Sequence, residues 1–80
     1  MIPAETYAPH RAAIKARGFI VTPWRLGLEI GQQGLLLPSP YITQRSNRLY
    51  ADGWKYGAKL HDDLTRALRR ELKQGVWYAD

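Results

Sequence analysis

Cysteine is absent from the 80 residues, so neither a disulfide framework nor a thiolate metal site holds this chain together, and packing must do so alone. Groups for catalysis are equally scarce. Serine occurs only at Ser39 and Ser46 and histidine only at His10 and His61. No G-x-S-x-G elbow can be drawn from them, and two histidines do not complete a zinc site, which takes three or four ligands. Gly31-Gln32-Gln33-Gly34 lacks the lysine and the helix start of a phosphate loop. The expectation is a non-enzyme with no catalytic residue, no metal and no cofactor. No apolar run approaches the roughly 18 residues of a membrane span, and Met1 to Glu5 lacks the basic start of a secretory signal, so a cytoplasmic protein with no membrane contact is expected.

What the chain has is aromatic and basic. Three Trp and five Tyr within a 45% hydrophobic composition are too many for a disordered segment. The length fits one domain, residues 1–80, with a small core. Twelve Lys and Arg against seven Asp and Glu give a net charge of +5, which suits nucleic acid, a nucleoprotein or an acidic protein face.

Local patterns predict an α+β domain. Tyr7 to Phe19 reads as a short helix, with Pro9 in its first turn and Gly18 as its stop. Phe19-Ile20-Val21-Thr22 is β-prone and ends at Pro23, which withholds a ladder donor. Leu26, Leu28 and Ile30 alternate with Gly27 and Glu29 before the turn-rich Gly31 to Gly34, and Leu35 to Leu37 resume the apolar run. That pattern predicts a hairpin, preferred to a glycine-broken helix from Trp24 to Gly34 because each glycine costs a helix roughly 0.5–1 kcal/mol. The expected sheet is antiparallel with two or three strands. Ser39 and Pro40 read as N-cap and first residue of a long helix that Gly75 ends, with Val76-Trp77-Tyr78 as an apolar tail.

The long helix separates its faces. Leu49, Tyr50, Trp54, Leu60, Leu64, Ala67, Leu68 and Leu72 share one arc with Gly53 and Gly57, while the charged residues take the other. The two glycines predict a close approach by a strand or by the first helix. On the charged arc, Arg48, Lys55, Lys59, Arg66, Arg69, Arg70 and Lys73 outnumber the acids beside them, and Tyr56 lies on its border as an aromatic available to a partner. These eight residues are the candidate partner-binding site.

Pro40, Tyr41, Tyr50, Gly53 and Trp54, within PYITQRSNRLYADGWKYG, resemble the motif of the ribosome modulation factor family, and Gly27, Gly31 and Gly34 match the glycine spacing upstream of it. The resemblance covers about a third of the chain. It implies a ribosome-associated modulator, and a helix where local pattern predicts the hairpin. Small basic proteins with this motif also resemble phage-encoded products, which implies an inhibitor docking on a host nucleoprotein complex, of the anti-CRISPR kind. That inhibitor is the leading expectation, with a CRISPR effector or the ribosome as partner. The ribosome modulator and a plain nucleic-acid-binding protein are its alternatives, acting as a monomer or weak dimer.

Overall fold

The structure, a computed structural model, describes the backbone of residues 3–78 and the side chains of residues 3–70. A 3-10 turn, Ala4–Thr6, leads into α1 (Ala8–Ala16); α2 spans Pro23–Gln32 and α3 spans Gln44–Tyr78. No strand occurs among the described residues, so the expected α+β sheet is replaced by three helices and an irregular extended strap, residues 35–43, between α2 and α3.

The hairpin fails for reasons of chemistry at its ends and along its length. Thr22 and Pro23, expected to close a strand, instead open α2: Thr22 is extended and its hydroxyl accepts from the Arg25 amide at 3.1 Å, while Pro23 sits in the first turn, where no N–H is needed. Gly34, expected in a hairpin turn, has φ +75° and ends α2. The Leu35 amide reaches back to the Ile30 carbonyl and the Gly34 amide to that of Gly31, the paired bonds of a Schellman cap. Gly18, with φ +84°, ends α1 in the same way through Phe19 to Ile14 and Gly18 to Lys15. Between the caps, the alternating Leu26, Leu28 and Ile30 contain a four-residue repeat, and Leu26 and Ile30 share one buried helix face.

Gly27 and Gly31 make the adjacent row of α2, and opposite them lie Gly53 and Gly57 of α3. A methyl group at Gly53 would collide with the Trp24 carbonyl oxygen, and one at Gly57 with the Leu28 carbonyl oxygen. In return, one at Gly27 would strike the Tyr50 carbonyl and lie 2.9 Å from the Trp54 amide nitrogen, and one at Gly31 would strike the Trp54 carbonyl. The two helices therefore touch backbone to backbone along a double row of small residues, a geometry open only where Cβ atoms are missing. The close approach at Gly53 and Gly57 is thus met by α2, neither by a strand nor by the first helix. The helix propensity lost at four glycines is recovered as close-packed contact.

Tyr7, Ile14, Leu26, Ile30 and Tyr50 form the buried core, with Val21, Leu37, Tyr41 and Trp54 packed around it. Burying each of the large side chains stabilises the fold by roughly 1.5–3 kcal/mol. The strap is fastened by side-chain donors. Tyr50 donates to the Leu37 carbonyl at 2.8 Å, Trp54 to the Leu35 carbonyl at 2.7 Å and Tyr7 to the Pro38 carbonyl at 2.5 Å. Donors four residues apart on a helix are spaced about 6 Å, close to the roughly 6.6 Å between alternate carbonyls of an extended chain. The strap consequently runs antiparallel to α3 with its carbonyls in step with Tyr50 and Trp54. His61 continues this line, its Nδ1 lying 3.2 Å from the Gln32 carbonyl at the end of α2.

α3 begins later and runs further than its sequence signals indicate. Its N-cap is Thr43, whose hydroxyl accepts from the Ser46 amide at 3.2 Å, while Ser39 bonds Asn47 and caps a turn in the strap. The helix continues through Gly75 to Tyr78, so the tail predicted after Gly75 belongs to α3; its side chains lie outside those described. Thirty-five residues of helix are about 52 Å long, against about 15 Å for the ten residues of α2. The molecule measures 54 × 24 × 23 Å as a result.

Candidate partner-binding surface

Among the described residues, no helix is long and apolar enough to cross a membrane, and no three His, Asp or Glu side chains gather where they could hold a metal ion. The buried hydroxyls of Tyr7 and Tyr50 are held protonated. Burial pushes Tyr50 up to about 12, helped by the neighbouring Tyr7 and Tyr41, and burial raises Tyr7 against the lowering effect of Arg11. A proton held this firmly serves as a fixed hydrogen-bond donor to the strap.

Arg48, Lys55, Lys59 and Arg66 lie on one line along α3, opposite the side that meets α2, and all are exposed. From Arg48 to Arg66 the line is about 27 Å long. Arg69 and Arg70 are exposed further along the same helix, one on each side of that line. Lys73 is on α3, and its side chain lies outside those described. Arg17 with Glu29 is the single ion pair among the described residues, so the described acids leave the α3 cations unpaired.

Tyr56 is 53% exposed, and its ring lies 5.9 Å from that of Trp24 on α2. Arg25 stands over Phe19 at 4.2 Å. Tyr56 and Trp24 thus meet at the edge of the α2–α3 contact, and Arg25 and Phe19 pair on the α2 side of the molecule, away from the basic line. Sequence reasoning selected Tyr56 and missed Arg25 and Phe19, which come together only because residues 23–32 are helical. It also left out Arg45, which with Gln44 and Arg48 lines an open hollow at the start of α3. A larger cleft of about 670 Å³ opens between the N-terminal turn and the strap, where Tyr7, Arg11, Pro40, Tyr41 and Ile42 line it. No family model matches the chain, and no curated protein or solved structure matches it either.

Proposed function

We propose that the protein is a non-catalytic binding protein that docks on the RNA of a nucleoprotein complex, with the ribosome as its partner. The observation that carries this reading is the line Arg48, Lys55, Lys59 and Arg66, exposed on a rigid helix without ion pairs among the described residues. The helix fixes the spacing of these cations along about 27 Å, so they can meet backbone phosphates without the main chain that carries them first being ordered. Tyr56, with Trp24 beneath it, offers a ring for a base to stack on.

The ribosome is preferred to a CRISPR effector because of the glycines. The resemblance to the ribosome modulation factor family implies a helix carrying Gly27, Gly31 and Gly34. The fold has α2 there, with Gly27 and Gly31 seated on Gly53 and Gly57 and Gly34 capping its end. The matched residues Tyr50 and Trp54 fasten the strap. They support the fold that presents the basic line, and the line itself makes the contact.

The test is co-sedimentation with purified ribosomes at several salt concentrations. Wild type is expected to bind with log affinity falling by about 0.7–0.9 per phosphate neutralised for each unit of log salt. Reversal of Lys55, Lys59 and Arg66 to Glu is expected to abolish binding while leaving the circular-dichroism spectrum unchanged. Undiminished binding by the folded triple variant would move the site away from α3, and no binding by wild type would sink the ribosomal reading.

A further inference from the structure

We propose that the cleft between the N-terminal turn and the strap is a ligand site for a small anion built on a flat ring, with the ring against Pro40, Tyr41 and Ile42 and the anionic group on Arg11. At about 670 Å³ the cleft falls within the size range of small-molecule sites. Its walls are fixed before any ligand arrives. Tyr7 donates to the Pro38 carbonyl, Ser39 donates to Asn47 and accepts from the Tyr41 amide, and the Tyr41 ring lies 6.3 Å from that of Tyr50. Pro38 and Pro40 add rings whose φ angles are locked. A ligand entering here loses little affinity to ordering the site.

The class of ligand follows from what lines the cleft. The hydroxyl protons of Tyr7 and Ser39 are engaged within the fold. Arg11 is the one charged residue among the described residues of the lining, and no acid accompanies it. It is half-buried and forms no ion pair among the described residues, where Arg17 with Glu29 is the single pair. A guanidinium left unpaired beside apolar rings attracts a phosphate or a carboxylate and repels a cation. At the mouth, Ile42 is 96% exposed, an aliphatic side chain that no described residue covers. The faces of Tyr41 and Pro40 suit a ring better than a flexible chain, since a ring brings contact area with fewer rotors to freeze.

An extended peptide fits poorly. Its backbone needs donors and acceptors in step, whereas Pro38 and Pro40 have no N–H and the Pro38 carbonyl is taken by Tyr7. Ring and anion together occur in nucleotides and in aromatic acids, and Arg11 serves either. Lys55, Lys59 and Arg66 do not line the cleft, so the proposal stands or falls separately from RNA binding on α3.

The experiment is an NMR titration of the isotopically labelled full chain with adenosine 5′-monophosphate, 1-naphthoate, adenosine and octanoate in turn, in about 0.15 M salt to screen distant charge. At least one of the two ring anions is expected to shift the amides of Arg11, Tyr41 and Ile42 saturably, with a dissociation constant of order 0.1–1 mM. Preference for the monophosphate assigns the site to nucleotides, and preference for naphthoate assigns it to aromatic acids. Neutral adenosine and flexible octanoate are expected to bind at least about tenfold more weakly than the better ring anion. Arg11→Gln is expected to weaken that anion at least about tenfold. Ile42→Asp, at a position the fold leaves uncovered, is expected to weaken it at least about threefold by setting like charge at the mouth. Reversal of Lys55, Lys59 and Arg66 to Glu is expected to leave its affinity within about threefold of wild type. The proposal is overturned if neither ring anion shifts the three amides up to about 10 mM, or if adenosine or octanoate binds as tightly as the better ring anion. Undiminished binding by Arg11→Gln and Ile42→Asp proteins with folded spectra overturns it too, as does loss of the signal in the α3 triple variant.

Discussion

Between Tyr50 and Ala58 the apolar side of α3 is built from glycine and aromatic residues and is covered by α2 and the strap. Between Leu60 and Leu68 it is built from leucines and faces solvent. On a helical projection the two stretches share one arc, and by hydrophobicity the second is the better core. Their different fates arise from length and from approach. α2 has ten residues against thirty-five in α3, so it can cover less than a third of its partner. It settles where two rows of glycines let the backbones touch, because close approach brings more atoms together than a leucine ridge held at ordinary helix separation. Amphipathicity marks a face that needs cover, and small-residue rows mark where the cover lies.

Filling the glycine row breaks this comparison most directly. Gly53→Leu improves helix propensity by nearly 1 kcal/mol. It also drives a side chain into the Trp24 carbonyl and the Leu28 amide, backbone atoms that no rotamer change can move. A net loss of more than about 3 kcal/mol is expected, at or beyond the upper end for overpacking, in a domain whose whole stability is of order 4–12 kcal/mol. Urea unfolding checks it. A variant as stable as wild type would mean that α2 and α3 do not meet at the glycines. Gly57→Leu is expected to behave alike, against the Leu28 carbonyl and the Gln32 amide.

Next in size is the emptying of the covered face. Leu26 is fully buried on α2, and Leu26→Ala is expected to cost about 3 kcal/mol, within the range for buried leucine sites. A loss below about 1 kcal/mol in the same urea experiment would remove Leu26 from the core.

The positions of these residues bear on how far the fold could be read from sequence. The short first helix, its Gly18 stop, the long amphipathic helix and the need for a close neighbour at Gly53 and Gly57 were all legible, since each depends on local chemistry or on a pattern repeated over many turns. Residues 23–34 were not. Leu26 and Ile30 satisfy period two and period four equally over so short a span, and Thr22-Pro23 serves as strand end or helix cap according to the conformation of the residues after Pro23. The paired glycine rows were the signal that would have decided it. Gly27 and Gly31 repeat the spacing of Gly53 and Gly57, and neither row has a purpose without the other. For the candidate site, exposure of Tyr56 and of the cations from Arg48 to Arg70 was legible from the helical projection, whereas Arg25 over Phe19 depends on the turn between α1 and α2 and left no periodic trace. Nor did the arc reveal that Leu64 lies beyond the reach of α2, because reach is a property of the partner helix.

A third perturbation acts on the covered half without changing its sequence. Tyr50 is held protonated to about pH 12, above the ordinary tyrosine value near 10, by burial first and by Tyr7 and Tyr41 second. The unfolded chain therefore loses this proton before the folded chain does. The stability it contributes is whole below about pH 10, falls as pH rises from 10 towards 12, and amounts to about 2–3 kcal/mol when fully lost. Tyr7 shifts in the same direction. Urea midpoints measured between pH 9 and 12 are expected to decline, and more shallowly in Tyr50→Phe, which has no proton to lose there but starts less stable because the Leu37 carbonyl is left without its donor. Equal slopes in the two proteins would separate alkaline instability from this hydroxyl.

The smallest effect is expected where the helical projection alone would place one of the largest. Leu64 sits at the centre of the apolar arc, and a purely amphipathic reading assigns Leu64→Ala the 2–5 kcal/mol of a buried leucine. In the structure it is 61% exposed on a stretch of helix that α2 does not reach, so truncation removes little buried area and leaves no cavity. Alanine also has the higher helix propensity, by a few tenths of a kcal/mol, which offsets part of the packing removed along the ridge. The expected change in monomer stability is within about 0.5 kcal/mol in either direction. The measurement is urea unfolding at a protein concentration low enough to keep the chain monomeric, since any pairing through the ridge would add a concentration-dependent contribution from Leu64. A loss of 2 kcal/mol or more under those conditions would show that something within the chain covers Leu64. The contrast between a sealed inner half and an open outer half of α3 would then fall.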